Sequence, residues 1–194
     1  PLMTWQRVPA GRLLRADDKA LPAWAAGLSA AEFVARAPRL SDLWTPALVL
    51  DDGVLAGNVA FLAGWTADRG LELMPHGKTT MAPQLWRYQL DAGATGLTLA
   101  TPWQVRVART AGIRDIMLAN QLVDPAAIAW LADDLATGGG HLWSWIDDDG
   151  GIEALTVATA ATASRGAWDV LVELGRPGGR TGARTPDAAS ALAE

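Results

Sequence analysis

Short apolar runs alternating with helix-patterned segments constrain this chain more than any other feature. The runs LELMPH (71–76), GLTLA (96–100), IMLAN (116–120), LWSWI (142–146) and WDVLVEL (168–174) recur about every 20 to 25 residues. Each gap is long enough for one helix of roughly a dozen residues. Strands joined through helices pair in parallel, because a parallel neighbour is reached only by a crossover. The expected fold class is therefore α/β, with about five strand-helix units in the rhythm of a (β/α)8 barrel or a doubly wound sheet. Periodicity does not choose between the two. An earlier run, PALVLD (46–51), reads as one more buried strand, and Leu55, Val59 and Leu62 then recur at helical spacing until Gly70.

Helix boundaries are legible. Thr101 with Pro102 and Gln104 forms a capping-box start, and Asp124 with Pro125 forms a second start. Gly93 and Gly112 mark ends. Ile128, Leu131 and Leu135 share one stripe with Asp133 and Asp134 off it, the pattern of a helix lying on a sheet, and Gly138 to Gly140 then turn the chain. Thr185 and Pro186 open a further helix that runs to Glu194.

Residues 1–40, with Trp5, Trp24, Phe33 and a short helix over Ser29 to Ala37 ended by Pro38, read as an N-terminal extension, and residues 41–194 as part of a barrel. A full barrel needs about 250 residues. With 194 residues, an unnatural start at Pro1 and a helix still running at the last residue, the chain is expected to be the front of a longer protein.

Charge and composition narrow the partners. Sixteen basic residues against 21 acidic ones give a net charge of -5 with no basic stripe, so nucleic acid is not an expected partner. Without cysteine there is neither a disulfide nor a thiolate site. No apolar run approaches the roughly 18 residues of a membrane span and no cleavable leader opens the chain, so a cytoplasmic, soluble protein is expected.

The segment MPHGKTTMAPQLW (74–86) is where the pattern stops being generic. A strand ends directly in His76, Gly77, Lys78, Thr79 and Thr80, and barrel enzymes place chemistry at strand C-terminal ends. A lysine there can condense with an aldehyde once desolvation or nearby positive charge has favoured loss of its proton. His76, two residues earlier on the same strand, would face the same way as Lys78 and could either move a proton or order the loop. Asn120 and Gln121 end another strand at the same rim, as cofactor contacts or loop ties. Asp147, Asp148 and Asp149 read as helix-capping residues rather than a metal cluster. His141 opens a strand at the opposite end and reads as structural. Trp86, Trp103, Trp130, Trp143, Trp145 and Trp168 fall on predicted elements and read as packing.

Several ordered motifs, PHGKTTMAPQLW, QLDAGATGLTLATPWQV and IMLANQLV, flanked by TPALVLD and VLVELGRPGGRTGAR, resemble the D-amino-acid deaminase, D-serine dehydratase and D-threonine aldolase family over residues 42–184. The resemblance implies an incomplete (β/α)8 barrel of the alanine racemase N-terminal type, with a C-terminal β domain outside this chain. It implies pyridoxal 5'-phosphate held by Lys78 through a Schiff base. Arg180, in GGRTG, would lie beside the cofactor's phenolic oxygen, where a permanent planar cation stabilises negative charge. Thr79 and Asn120 complete the expected contacts.

By the same resemblance the protein is a lyase acting on a small D-amino acid, a homodimer when full length. A divalent metal would be held by residues beyond this chain. The arginine-proline pair in ELGRPGGRTG favours deamination of D-serine or D-threonine. Retro-aldol cleavage of D-threonine, racemisation and a cofactor carrier without turnover remain open.

Overall fold

The computed structural model describes residues 12–160 and 167–194, which leaves Trp5 outside the described residues. The chain divides into two compact units, Pro1–Asn58 and Val59–Glu194.

In the first unit, Leu13 bridges Ser29 in antiparallel fashion, and Ala23–Ala25 forms a 3-10 turn with Ala25 fully buried. Helix α1 (Ala30–Ala35) starts at a complete capping box, Ser29 with Glu32. The Ser29 amide and hydroxyl hold the Glu32 carboxyl below its ordinary pKa. Trp24 stacks on Phe33 at 5.2 Å, with the Arg36 guanidinium over its ring. The run at 46–51 is not a strand. Leu48 is 92% exposed, and no strand pairs with this segment among the described residues. Apolar composition signals a wish for burial; a strand also needs a neighbour to pair with.

Helix α2 (Asp52–Ala67) follows. Leu55 and Val59 are half-buried as the spacing predicts, but Leu62 is exposed. The rest alternates regularly: α3 (Pro83–Asp91), β1 (Leu97–Leu99), α4 (Pro102–Thr110), β2 (Asp115–Gln121), α5 (Pro125–Ala136), β3 (His141–Ile146), α6 (Asp149–Ala160), β4 (Ala167–Val172) and α7 (Pro186–Ala193). The predicted starts are present. Thr101, Asp124 and Thr185 accept from Gln104, Ala126 and Ala188 amides respectively, each with proline at the first helical position. Gln104 returns its bond to the Ala100 amide, one residue before the expected cap.

All four strands pair in parallel in chain order, β1-β2-β3-β4. A doubly wound sheet reverses its strand order at a switch point; a barrel winds steadily in one direction. The chain therefore forms part of a TIM-type α/β barrel sheet. The expected fifth strand, at 71–76, is reduced to a bridge between His76 and Thr98, although the Thr98 amide also donates to the Pro75 carbonyl at 2.9 Å. Pro75 has no N–H to offer a ladder, which shortens the pairing.

The core lies between the sheet and its helices. Alternate residues Leu97, Leu99, Ile116, Leu118, Leu142 and Ile146 pack with Trp86, Val105, Ile128, Leu131 and Leu135. Asp134, off the stripe of α5, accepts from Arg109 Nε at 2.8 Å and so ties α5 to α4. Trp103 departs from the packing role expected of it, at 62% exposure. Among the described residues no helix is long and apolar enough to cross a membrane.

One polar group is wholly enclosed in this layer. Ser144 is 0% exposed and accepts from Trp168 Nε1 at 2.9 Å, joining β3 to β4. Ser144→Ala should lower the unfolding free energy of the intact protein by about 1 to 2 kcal/mol, because the indole N–H loses its acceptor. Denaturant titration measures this; a loss under about 0.3 kcal/mol would mean that water replaces the hydroxyl.

Candidate functional site

Parallel pairing brings the C-terminal ends of the 71–77 segment and of β1 to β4 to one edge, and the candidate residues lie along it. Their carriers are fixed by backbone contacts. Gly77 is buried, donates to the Thr98 carbonyl at 2.9 Å, and accepts from Trp86 Nε1 at 3.0 Å and the Met81 amide at 3.1 Å. A Cβ on Gly77 would stand 2.6 Å from Trp86 Nε1. The Trp86 indole is fully buried, which contributes on the order of 5 kcal/mol for roughly 200 Å² removed from water. That burial pins the turn onto α3.

Lys78, Thr79 and Thr80 form this turn, and Met81 closes it at φ +46. Lys78 therefore sits in a turn, not on a strand, and strand alternation does not align it with His76. Lys78 is half-buried, while His76 and Thr79 are exposed. No side chain among the described residues engages the Lys78 amine, the His76 ring or the Thr79 hydroxyl.

Arg180 stands on the 173–184 loop after β4 and is exposed, its guanidinium without a partner among the described residues. The loop beneath it is tightly built. The Ala183 amide donates to the Glu173 carbonyl at 2.7 Å and the Gly175 amide to the Ala183 carbonyl at 2.9 Å. Thr181 Oγ1 donates to Glu173 Oε1 at 2.8 Å, leaving the buried Glu173 Oε2 without a partner. Arg184 Nη1 donates to the carbonyls of Arg176, Gly179 and Thr181. Gly182 has φ +93, and a Cβ there would meet the Gly175 nitrogen at 2.3 Å, so glycine is required where the two stems touch.

Between these ends lie the amides of β2. Its register against β3 slips between Leu118 and Gln121, a bulge that re-aims both side chains. Asn120 Nδ2 donates to the Ala100 carbonyl at 3.2 Å, so this amide, expected as a cofactor contact or a loop tie, braces the end of β1. Gln121 Nε2 donates to Asp147 Oδ1, and Asp147 Oδ2 accepts from the Gly182 amide at 2.8 Å. The capping reading holds for Asp148, which accepts from the Gly151 amide at 2.8 Å, and fails for Asp147. A cavity of about 290 Å³ opens here between Gln121, Trp145 and Asp147 on one side and Gly151 and Ala154 of α6 on the other. Nothing in the sequence marked Asp147 apart from its two neighbours, since its partners lie 26 and 35 residues away.

His141 lies at the far end of β3, where it pairs with Asp169 at 2.7 Å and stacks on Trp143, in keeping with a structural role. Among the described residues no group of three His, Asp or Glu side chains gathers to hold a metal. Lys78 and Arg180 are separated along the rim by four strand spacings, about 19 Å measured along the sheet; its curvature shortens the direct path. A primary amine, hydroxyls and an unpaired guanidinium on one edge form a donor set suited to an aldehyde that also carries negative charge.

No family model matches the chain. A D-threonine aldolase of Arthrobacter sp is 28% identical over 150 residues, covering 77% of this chain and 38% of that protein. A 3-hydroxy-D-aspartate aldolase of Paracoccus denitrificans is 25% identical over 155 residues, covering 79% and 39%. The crystal structure of D-threonine aldolase from Filomicrobium marinum superposes with a TM-score of 0.73 at 29% identity, over 79% of this chain and 40% of that one. The chain thus spans about two fifths of the length of these relatives.

The contact of Gly77 with Trp86 predicts that Gly77→Ala destabilises the intact protein by about 1 to 3 kcal/mol through overpacking. Trp86→Phe in the same background, by removing the clashing Nε1, should cost less than the sum of the two single changes. Additive losses in denaturant titrations would show that the two residues act independently.

Proposed function

From its similarity to D-threonine aldolases, we propose that this chain supplies the cofactor lysine of a pyridoxal-phosphate-dependent lyase that cleaves D-3-hydroxy amino acids. The arginine-proline pair in ELGRPGGRTG favours deamination in the sequence analysis. The relatives are aldolases by name, which supports retro-aldol cleavage over that reading. One observation carries the proposal: Lys78, with no partner among the described residues, stands on a turn fixed by buried Trp86 at the sheet edge where barrel enzymes place chemistry.

Pyridoxal phosphate, when bound, supplies an electron sink for the bond that breaks. The chain's residues do the rest. Lys78 Nζ would hold the cofactor through its aldehyde carbon, and the same amine would be placed to carry a proton. Arg180 offers its guanidinium to the cofactor's anionic oxygen, and the Thr79 hydroxyl donates from the same turn as Lys78. His76, exposed one residue before Gly77, is the base assigned to the substrate β-hydroxyl. Removal of that proton, cleavage of Cα–Cβ, departure of the β-carbon as an aldehyde and protonation of Cα balance the reaction.

In the intact protein with added pyridoxal phosphate, borohydride should fix the cofactor on Lys78, as peptide mapping would show. D-threonine should then give glycine and acetaldehyde in equal amounts. Lys78→Ala should abolish both the bound-cofactor absorbance and turnover. Labelling of another lysine, or full activity of the variant, would sink the assignment; ammonia with a keto acid in place of glycine would return the reaction to deamination.

A further inference from the structure

We infer that Asp147 is a positioning residue for Arg180, acting through the loop that carries it. Three observations carry this. The carboxylate makes no local cap, unlike Asp148; it is held from both sides across the sheet, by Gln121 Nε2 at the end of β2 and by the Gly182 amide beyond β4. Gly182 is two residues from Arg180. The 173–184 loop is cross-tied within itself, through Arg184 and the close approach of Gly175 to Gly182, so that Arg180 and Gly182 belong to one bonded unit.

Arg180 has no partner of its own among the described residues, and its place over the rim is set by that unit. Both oxygens of Asp147 are used, so the chain β2, Asp147, Gly182 links three strand ends. Displacing a charged group by about 1 Å is enough to lose much of its effect on a bound anion. Loss of the Asp147 brace should therefore weaken cofactor binding without touching the cofactor. This inference rests on the cofactor reading proposed above.

The test compares Asp147→Ala, Asp147→Asn, Arg180→Ala and Asp147→Ala with Arg180→Ala in the intact protein. Two readouts are used, amide exchange of the 173–184 segment without cofactor and the Kd for pyridoxal 5'-phosphate. Asp147→Ala should speed exchange at Gly182 and raise Kd by about tenfold, the usual scale for one charge-assisted hydrogen bond. Asp147→Asn, which keeps an acceptor for Gly182 and lets the Gln121 amide turn round, should stay within about threefold of wild type. In the Arg180→Ala background Asp147→Ala should add nothing.

Unchanged exchange in Asp147→Ala would overturn the brace. Faster exchange with an unchanged Kd, or losses that add in the double variant, would overturn its role toward Arg180. If wild type takes up no cofactor although exchange responds as expected, the cofactor reading itself fails and the positioning role falls with it.

Discussion

Parallel pairing in chain order is the constraint on which the rest of this structure depends. Once Leu97–Leu99, Asp115–Gln121, His141–Ile146 and Ala167–Val172 lie side by side in one direction, each needs a helix to return the chain. The helices must then cover one face, which fixes the alternate burial of Leu142, Ser144 and Ile146 against half-exposed His141, Trp143 and Trp145. The same geometry sends every strand end to one edge. Lys78, Asn120, Gln121, Asp147 and Arg180 share a rim because of topology, although they are scattered over a hundred residues of sequence.

What could be read in advance followed from local physics. Caps depend on residues two or three apart, so Thr101, Asp124 and Thr185 were legible, as was the short helix after Ser29. The place of Lys78 at the sheet edge was legible because an apolar strand-like run ends just before it. What could not be read shares one cause, which is dependence on distant partners. PALVLD is apolar enough for a strand but has none beside it among the described residues. Asn120 and Gln121 are turned by a bulge that only the register with β3 reveals. Asp147 looks like its neighbours until Gly182 is folded against it.

Burial on a single face explains the exposure of Leu171, whereas Val170 shares the covered face with Ser144 and is exposed because β4 lies at the edge of the sheet. Among the described residues β4 pairs on one side only, with β3, and Val170 and Leu171 are 47% and 41% exposed. Its hold on the sheet comes from the ladder, from the buried Ser144 contact with Trp168 and from the packing of Val172 on the core. An edge strand secured in this way has its loop fixed at one end. The far end of that loop is tied back to Glu173 by the Ala183 amide and, through the Gly182 amide, to Asp147 just beyond β3.

The two ends of the rim solve one problem by the same means. The Lys78 amine and the Arg180 guanidinium have no side-chain partner among the described residues, so their own bonds do not fix them. Precision has to come from the backbone beneath them. At Lys78 it comes from Gly77, whose missing Cβ lets the Trp86 indole seat at 3.0 Å on the carbonyl. At Arg180 it comes from Gly182, whose positive φ turns its amide onto Asp147. In each case a glycine yields its side-chain volume to a tertiary hydrogen bond, and the backbone that carries the charged residue one or two positions away is ordered by that bond.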